Sequence, residues 1–134
     1  MKLSEMKVLL IEDDVFKAAD VNKALTFNGI RDIIEVDNQE EAWNVIYQNS
    51  NQGSNINLIV TDMHYPLAQR TAPDENAGFK LIERLKEEKL DIPVIICSSV
   101  NYTVPEILGT VWYNKLRDLD LDFKTLLESY IQNH

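Results

Sequence analysis

The sequence predicts an α/β fold, a doubly wound parallel sheet of five strands with helices on both faces. Its short apolar runs are continuous rather than alternating, the pattern of strands buried on both sides. Amphipathic helical segments separate them, and that alternation implies parallel strands joined by right-handed crossovers. The length of 134 residues suggests a single domain, 1–134. At 45% hydrophobic and 8% aromatic residues the chain is too apolar to be disordered.

The elements follow in order. Val8-Leu9-Leu10-Ile11 is the first strand. Asp14 is placed to cap the helix after it, where Ala18, Val21 and Leu25 share a face and Asn28-Gly29 marks the end. Ile33-Ile34-Glu35-Val36 is a weaker strand, nearer an edge. In the second helix Ala42, Val45 and Ile46 share a face, with Asn38 and Glu41 spaced as a capping box. Leu58-Ile59-Val60 is the third strand. A helix opening near Gly78 carries Ile82 and Leu85 on one face, with Leu81 beside them. Val94-Ile95-Ile96-Cys97 is the fourth strand. The stretch from Asn101 to Gly109 holds Pro105 and has room for about two turns, so its helix is expected to be short or irregular. Val111-Trp112-Tyr113 is the fifth strand. Phe123, Leu126, Leu127 and Tyr130 form the stripe of the last helix, with Asp122 as its expected N-cap. The glycines at 29, 53, 78 and 109 punctuate these segments and do not form a phosphate-binding loop.

Composition excludes several function classes. Thirteen basic against 22 acidic residues give a net charge of −9, which disfavours binding to nucleic acid or to an anionic membrane. A lone cysteine, Cys97, excludes an internal disulfide or a multi-cysteine metal cluster, and its place in an apolar strand points to a buried, inert thiol. No run resembles a signal peptide or a membrane span, so a soluble, cytoplasmic setting is expected.

In an open parallel sheet, ligands bind at the carboxyl ends of the strands. Here those ends carry Glu12-Asp13-Asp14, Thr61-Asp62, Ser98-Ser99 and Asn114-Lys115. Carboxylates crowded together either share protons or take a cation, and an all-oxygen set suits Mg²⁺ or Mn²⁺. A carboxylate beside a hard cation, a lysine and a hydroxyl is a set suited to phosphoryl transfer with the carboxylate as nucleophile. Read blandly, the first acids only favour a helix N-terminus, which explains Asp14 but not why Asp62 and Lys115 also end strands. Asp118, Asp120 and Asp122 imitate the start of a calcium loop but lack its glycine and its final glutamate, Phe123 and Ser129 standing there.

At these residues the chain resembles the receiver domain of two-component response regulators. The resemblance lies in Lys7-Val-Leu-Leu-Ile-Glu-Asp13, Leu58-Ile-Val-Thr-Asp62-Met with Pro66, Pro93-Val-Ile-Ile-Cys-Ser98-Ser99 and Trp112-Tyr-Asn-Lys115. It implies a flavodoxin-like fold with strand order 2-1-3-4-5. It implies Asp62 as the phosphoryl-accepting nucleophile, and a Mg²⁺ (or Mn²⁺) site made of Glu12, Asp13, Asp62 and the His64 carbonyl. Lys115 would pair with the phosphoryl oxygens, while Ser98 and Trp112 would be the switch hydroxyl and aromatic. The donor would be a histidine kinase or phosphotransfer protein, and the output an unidentified protein partner reached by contact. Such a chain is not a turnover enzyme.

Three features depart from the family pattern. Gly78 stands sixteen positions after Asp62, about twice the family's interval, so 67–77 reads as an insertion able to cover the site or choose a partner. The fourth helix is shortened. Leu116 follows Lys115 where the family has a cis proline, and a cis bond before leucine costs several kcal/mol, so a trans peptide is expected. These departures motivate the alternative of a receiver-like protein-binding module that is never phosphorylated. An aspartyl-phosphate phosphatase is disfavoured because Val15, not an aspartate, stands two positions after Asp13.

Overall fold

A computed structural model describes residues 1–48 and 55–133, so Gly53 and His134 lie outside the described residues. After a 3-10 turn at Leu3–Glu5 come β1 (Lys7–Ile11), α1 (Val15–Phe27), β2 (Asp32–Val36) and α2 (Gln39–Gln48). Then follow β3 (Leu58–Thr61), two short strands β4 (Tyr65–Pro66) and β5 (Pro73–Asp74), and α3 (Ala77–Glu87). β6 (Val94–Ser98), β7 (Gly109–Trp112) and α4 (Leu119–Asn133) complete the chain.

Five parallel strands form one sheet in the order β2-β1-β3-β6-β7, which is the predicted 2-1-3-4-5 arrangement. Alternation along each strand explains why its sequence is apolar throughout. Leu9, Ile11, Ile59 and Ile96 point into one core with Ala42, Trp43 and Ile46 of α2 and Leu81, Ile82 and Leu85 of α3. Val8, Leu10, Leu58, Val60, Ile95, Cys97 and Val111 point into the other, against Val21, Ala24 and Leu25 of α1 and Phe123 and Leu127 of α4. β2 is an edge strand, and its residues are only half-buried or exposed.

Local chemistry sets the helix ends. Asp14 caps α1, its Oδ1 accepting from the N–H groups of Phe16 (2.9 Å) and Lys17 (3.1 Å). α1 ends in a Schellman arrangement: Gly29 takes φ 103°, and the Ile30 and Gly29 amides donate to the Leu25 and Thr26 carbonyls. Asn38 caps α2 through the Glu41 N–H at 2.9 Å. The Glu41 carboxylate accepts from Gln69 Nε2, so the expected capping box is only half made.

Other expectations need correction. Asp118, not Asp122, supplies the cap of α4, accepting from the Leu121 N–H at 3.1 Å. The helix therefore starts earlier, and Asp122 sits in its first turn, held by two hydrogen bonds from the Arg117 guanidinium. The last strand starts two residues earlier than predicted and ends one residue earlier, at Trp112. Between β6 and β7 the chain forms no helix. Thr103 and Val104 are β-branched, and Pro105 both lacks an N–H and disfavours helical geometry at the residue before it. The insertion is ordered. β4 and β5 pair antiparallel around Arg70, which sits at φ 62°, and the Leu67 carbonyl accepts from the Glu40 N–H at the start of α2.

No helix among the described residues is long and apolar enough to cross a membrane.

Candidate phospho-acceptor site

β1 and β3 are neighbours in register, Ile11 opposite Thr61, so the residues that follow them emerge side by side at the carboxyl edge of the sheet. Ligand oxygens of Glu12, Asp13 and Asp62 lie within 4.8 Å of one another, a group able to hold a metal ion. All three donors are hard carboxylate oxygens, which suits Mg²⁺ or Mn²⁺ and not a soft metal.

Two of the acids are oriented by backbone. Asp62 Oδ1 accepts from the Met63 N–H at 2.7 Å, and the Asp62 side chain keeps 14% of its surface open to solvent. Glu12 Oε2 accepts from the Asp14 N–H at 3.1 Å. Glu12 is buried, and burial pushes its pKa up to about 6 although Lys17 beside it pulls the other way. Gly78, at the start of α3, holds the other side of the Asp62 loop. Its N–H donates to the Met63 carbonyl, and a Cβ there would stand 2.9 Å from the Asp62 carbonyl oxygen. Only glycine lets α3 approach the loop so closely.

A cleft of about 380 Å³ opens over these groups. Glu12, Asp13, Lys17, Asp62, His64 and Ser98 line it, and Pro73 from the β4–β5 hairpin and Tyr102 from the irregular segment reach its rim. Ser98 is buried at the end of β6, its Oγ accepting from the Val100 N–H at 3.2 Å. The more exposed Ser99 lines the same cleft.

Two residues singled out in the sequence lie elsewhere. Lys115 is exposed, three positions beyond the end of β7, and is not part of the cleft lining. The peptide joining it to Leu116 is trans. Trp112 faces a separate groove between β7 and α4, its indole N–H donating to the Ser99 carbonyl at 3.0 Å. Tyr113 joins Tyr102 in lining the cleft, and its hydroxyl binds the Asp20 carboxylate.

The cation at the acids is Lys17, which sequence reasoning missed. Its Nζ lies 2.7 Å from Glu12 Oε1, 3.2 Å from Asp62 Oδ2 and 2.7 Å from the Cys97 carbonyl oxygen. Burial works against the ammonium, but the Glu12 and Asp62 carboxylates outweigh it and hold its pKa above the ordinary lysine value. A signal was present: Lys17 stands four residues before Val21 and eight before Leu25, on the buried stripe of α1, while its neighbours Val15 and Phe16 are exposed.

No family model matches the chain. Among curated proteins it is similar to the chemotaxis protein CheY homologue of Campylobacter jejuni, 25% identical over 96 residues that cover 70% of this chain and 65% of that protein. It is also similar to the response regulator GtcR of Aneurinibacillus migulanus, 33% identical over 103 residues that cover 77% of this chain and 37% of the relative. The chain thus spans just under two thirds of the first relative and little more than a third of the second. Among solved structures, a response regulator receiver domain protein from Clostridium thermocellum superposes with a TM-score of 0.70 at 16% identity, covering 96% of this chain and 95% of that one. The Mn²⁺-bound form of response regulator Rcp1 gives 0.69 at 17% identity, covering 96% of each. In fold the chain is like the receiver domains of response regulators, and in sequence it is similar to a CheY homologue and to a response regulator.

Proposed function

We propose that this receiver accepts a phosphoryl group on Asp62 and passes the signal on by protein contact. One observation carries the reading: three carboxylates from two adjacent strands converge on a partly open cleft at the carboxyl edge of the sheet. Asp62 is the nucleophile. One of its carboxylate oxygens attacks phosphorus, forming the new P–O bond. The bond to the donor breaks, P–N in a phosphohistidine or P–O in an acyl phosphate, and its electron pair leaves with the donor. Glu12, Asp13, Asp62 and the His64 carbonyl would hold Mg²⁺, which offsets negative charge during transfer. The kinship in fold to a Mn²⁺-bound response regulator favours that assignment. Ser98, buried at the cleft, would donate its hydroxyl to the transferred group. A histidine kinase or phosphotransfer protein is the natural donor, a protein partner the natural output, and the cytoplasm the natural setting.

Transfer places about two negative charges on the phosphoryl group and removes the one on the Asp62 carboxylate, a net gain of about one negative charge beside the Ser98–Tyr102 segment. That segment has no helix to hold it, so it is the element best able to rearrange.

The test is intact mass after incubation with Mg²⁺ and acetyl phosphate, run beside Asp62→Ala. Wild type should gain one phosphoryl group and the variant none. Labelling of both would sink Asp62 as acceptor. A second reading, a binding module never phosphorylated, is favoured by Lys17, which already neutralises part of the acid cluster. It would lead if neither acetyl phosphate nor any kinase labelled the wild type and partner affinity were the same in Asp62→Ala.

A further inference from the structure

We propose that Lys17, reaching the acid cluster from α1, is the lysine that neutralises Asp62 and meets the incoming phosphoryl group, in the place that the resemblance gave to Lys115. The inference rests on the phospho-acceptor reading and names the cation of that site.

An ammonium has three N–H donors, and Lys17 directs one at each of three acceptors. Two are firm, to Glu12 Oε1 and the Cys97 carbonyl oxygen at 2.7 Å each. They fix the head group over the ends of β1 and β6. The third, to Asp62 Oδ2, is longer at 3.2 Å. That looser contact is the one free to turn toward a phosphoryl oxygen when Asp62 becomes esterified and loses its own charge. The Tyr113 ring lies 5.6 Å from Nζ and adds a cation–π contact. A cation so held is oriented before the reaction begins, which is where electrostatic stabilisation of a transferring group is most effective.

Lys115 is in a poorer position. It is exposed, three positions beyond the end of β7, and stands outside the cleft lining. Its place by Asp62 is already filled. In the transfer itself Lys17 neither gains nor loses a proton. The Asp62 oxygen forms its bond to phosphorus, the donor leaves with the electron pair, and the ammonium balances charge on the phosphoryl oxygens.

The experiment compares wild type, Lys17→Gln, Lys115→Ala and Asp62→Asn, each first shown to be folded by circular dichroism. The initial rate of labelling by acetyl phosphate and Mg²⁺ is followed by intact mass. Lys17→Gln should slow labelling on the order of a hundredfold, and Lys115→Ala, at an exposed position, less than about threefold. The reverse order would overturn the proposal. A second readout needs no phosphorylation. Mn²⁺ affinity by titration calorimetry should rise on the order of tenfold in Lys17→Gln, because a positive charge has left the acid cluster. Equal affinity would show that the Lys17 charge does not act on the cluster and would overturn the proposal. If wild type and Asp62→Asn both fail to label, the phospho-acceptor reading fails with the phosphoryl role of Lys17. The Mn²⁺ comparison still decides whether Lys17 is the counter-ion.

Discussion

At the scale of single residues, burial governs chemistry as much as identity does. Cys97 is enclosed in the core between the sheet and its α1–α4 layer, and burial pushes its thiol up to about 12. It should resist iodoacetamide at pH 8 in the folded protein and react only once urea has opened the chain, as read by mass. Tyr65 is also raised to about 12, mainly by burial. Unfolded, the two groups would ionise near their ordinary values of 9.0 and 10.0. Between pH 9 and 12 the folded state therefore holds more protons than the unfolded state, and stability falls as pH rises through that window. Urea midpoints measured from pH 8 to 11 should decline accordingly, and a flat profile would contradict the burial of both groups. The acids of the site were legible because each ends a strand whose apolar run is unmistakable. Lys17 was not, because a lysine on a helix is normally solvated and only its spacing to Val21 and Leu25 betrays it.

At the scale of elements, two short features hold the site in shape. Gly78 permits the approach of α3 to the Asp62 loop, where an added Cβ would meet backbone atoms of Asp62 and Met63. Gly78→Ala should cost about 1–3 kcal/mol in urea unfolding and slow Asp62 labelling, because backbone rather than a pliant side chain must move. Asp14→Ala removes the α1 cap and should cost about 1 kcal/mol. A loss confined to stability would separate capping from chemistry, since Asp14 contributes only its N–H to Glu12. The element pattern was readable where an apolar period runs unbroken, as in β1, β3 and β6. At 99–108 the expectation of a short or irregular segment holds in its irregular form, because Pro105 and β-branched neighbours defeat a helix that length alone allows. The pattern misplaced the start of α4 because three aspartates at two-residue spacing all qualify as caps, and only the Arg117–Asp122 pair decides among them.

At the scale of the whole molecule, β3 is the centre of the sheet and is buried on both faces. Ile59→Ala should cost about 2–5 kcal/mol, lowering the urea midpoint with an unchanged slope. Ile33→Ala, half-buried on the edge strand β2, should cost clearly less. The architecture was the most legible level, because parallel strands buried on two sides have no other simple sequence pattern. The course of 67–77 was not legible. Its pairing as a hairpin against the start of α2 depends on contacts with Glu40 and Glu41 that no local signal announces.

The position of Lys17 also bears on the order in which the chain organises itself. Glu12 and Lys17 are five positions apart and belong to one strand–helix unit, so they can meet as soon as that unit forms. A counter-ion carried by Lys115 could arrive only after a loop of roughly a hundred residues had closed, and long closures are the slow steps of folding. The buried carboxylate at the end of β1 thus has its partner early, before β3 docks and brings in Asp62. Refolding kinetics should reflect this: Lys17→Gln should slow the folding limb of the chevron, whereas Lys115→Ala should leave it unchanged.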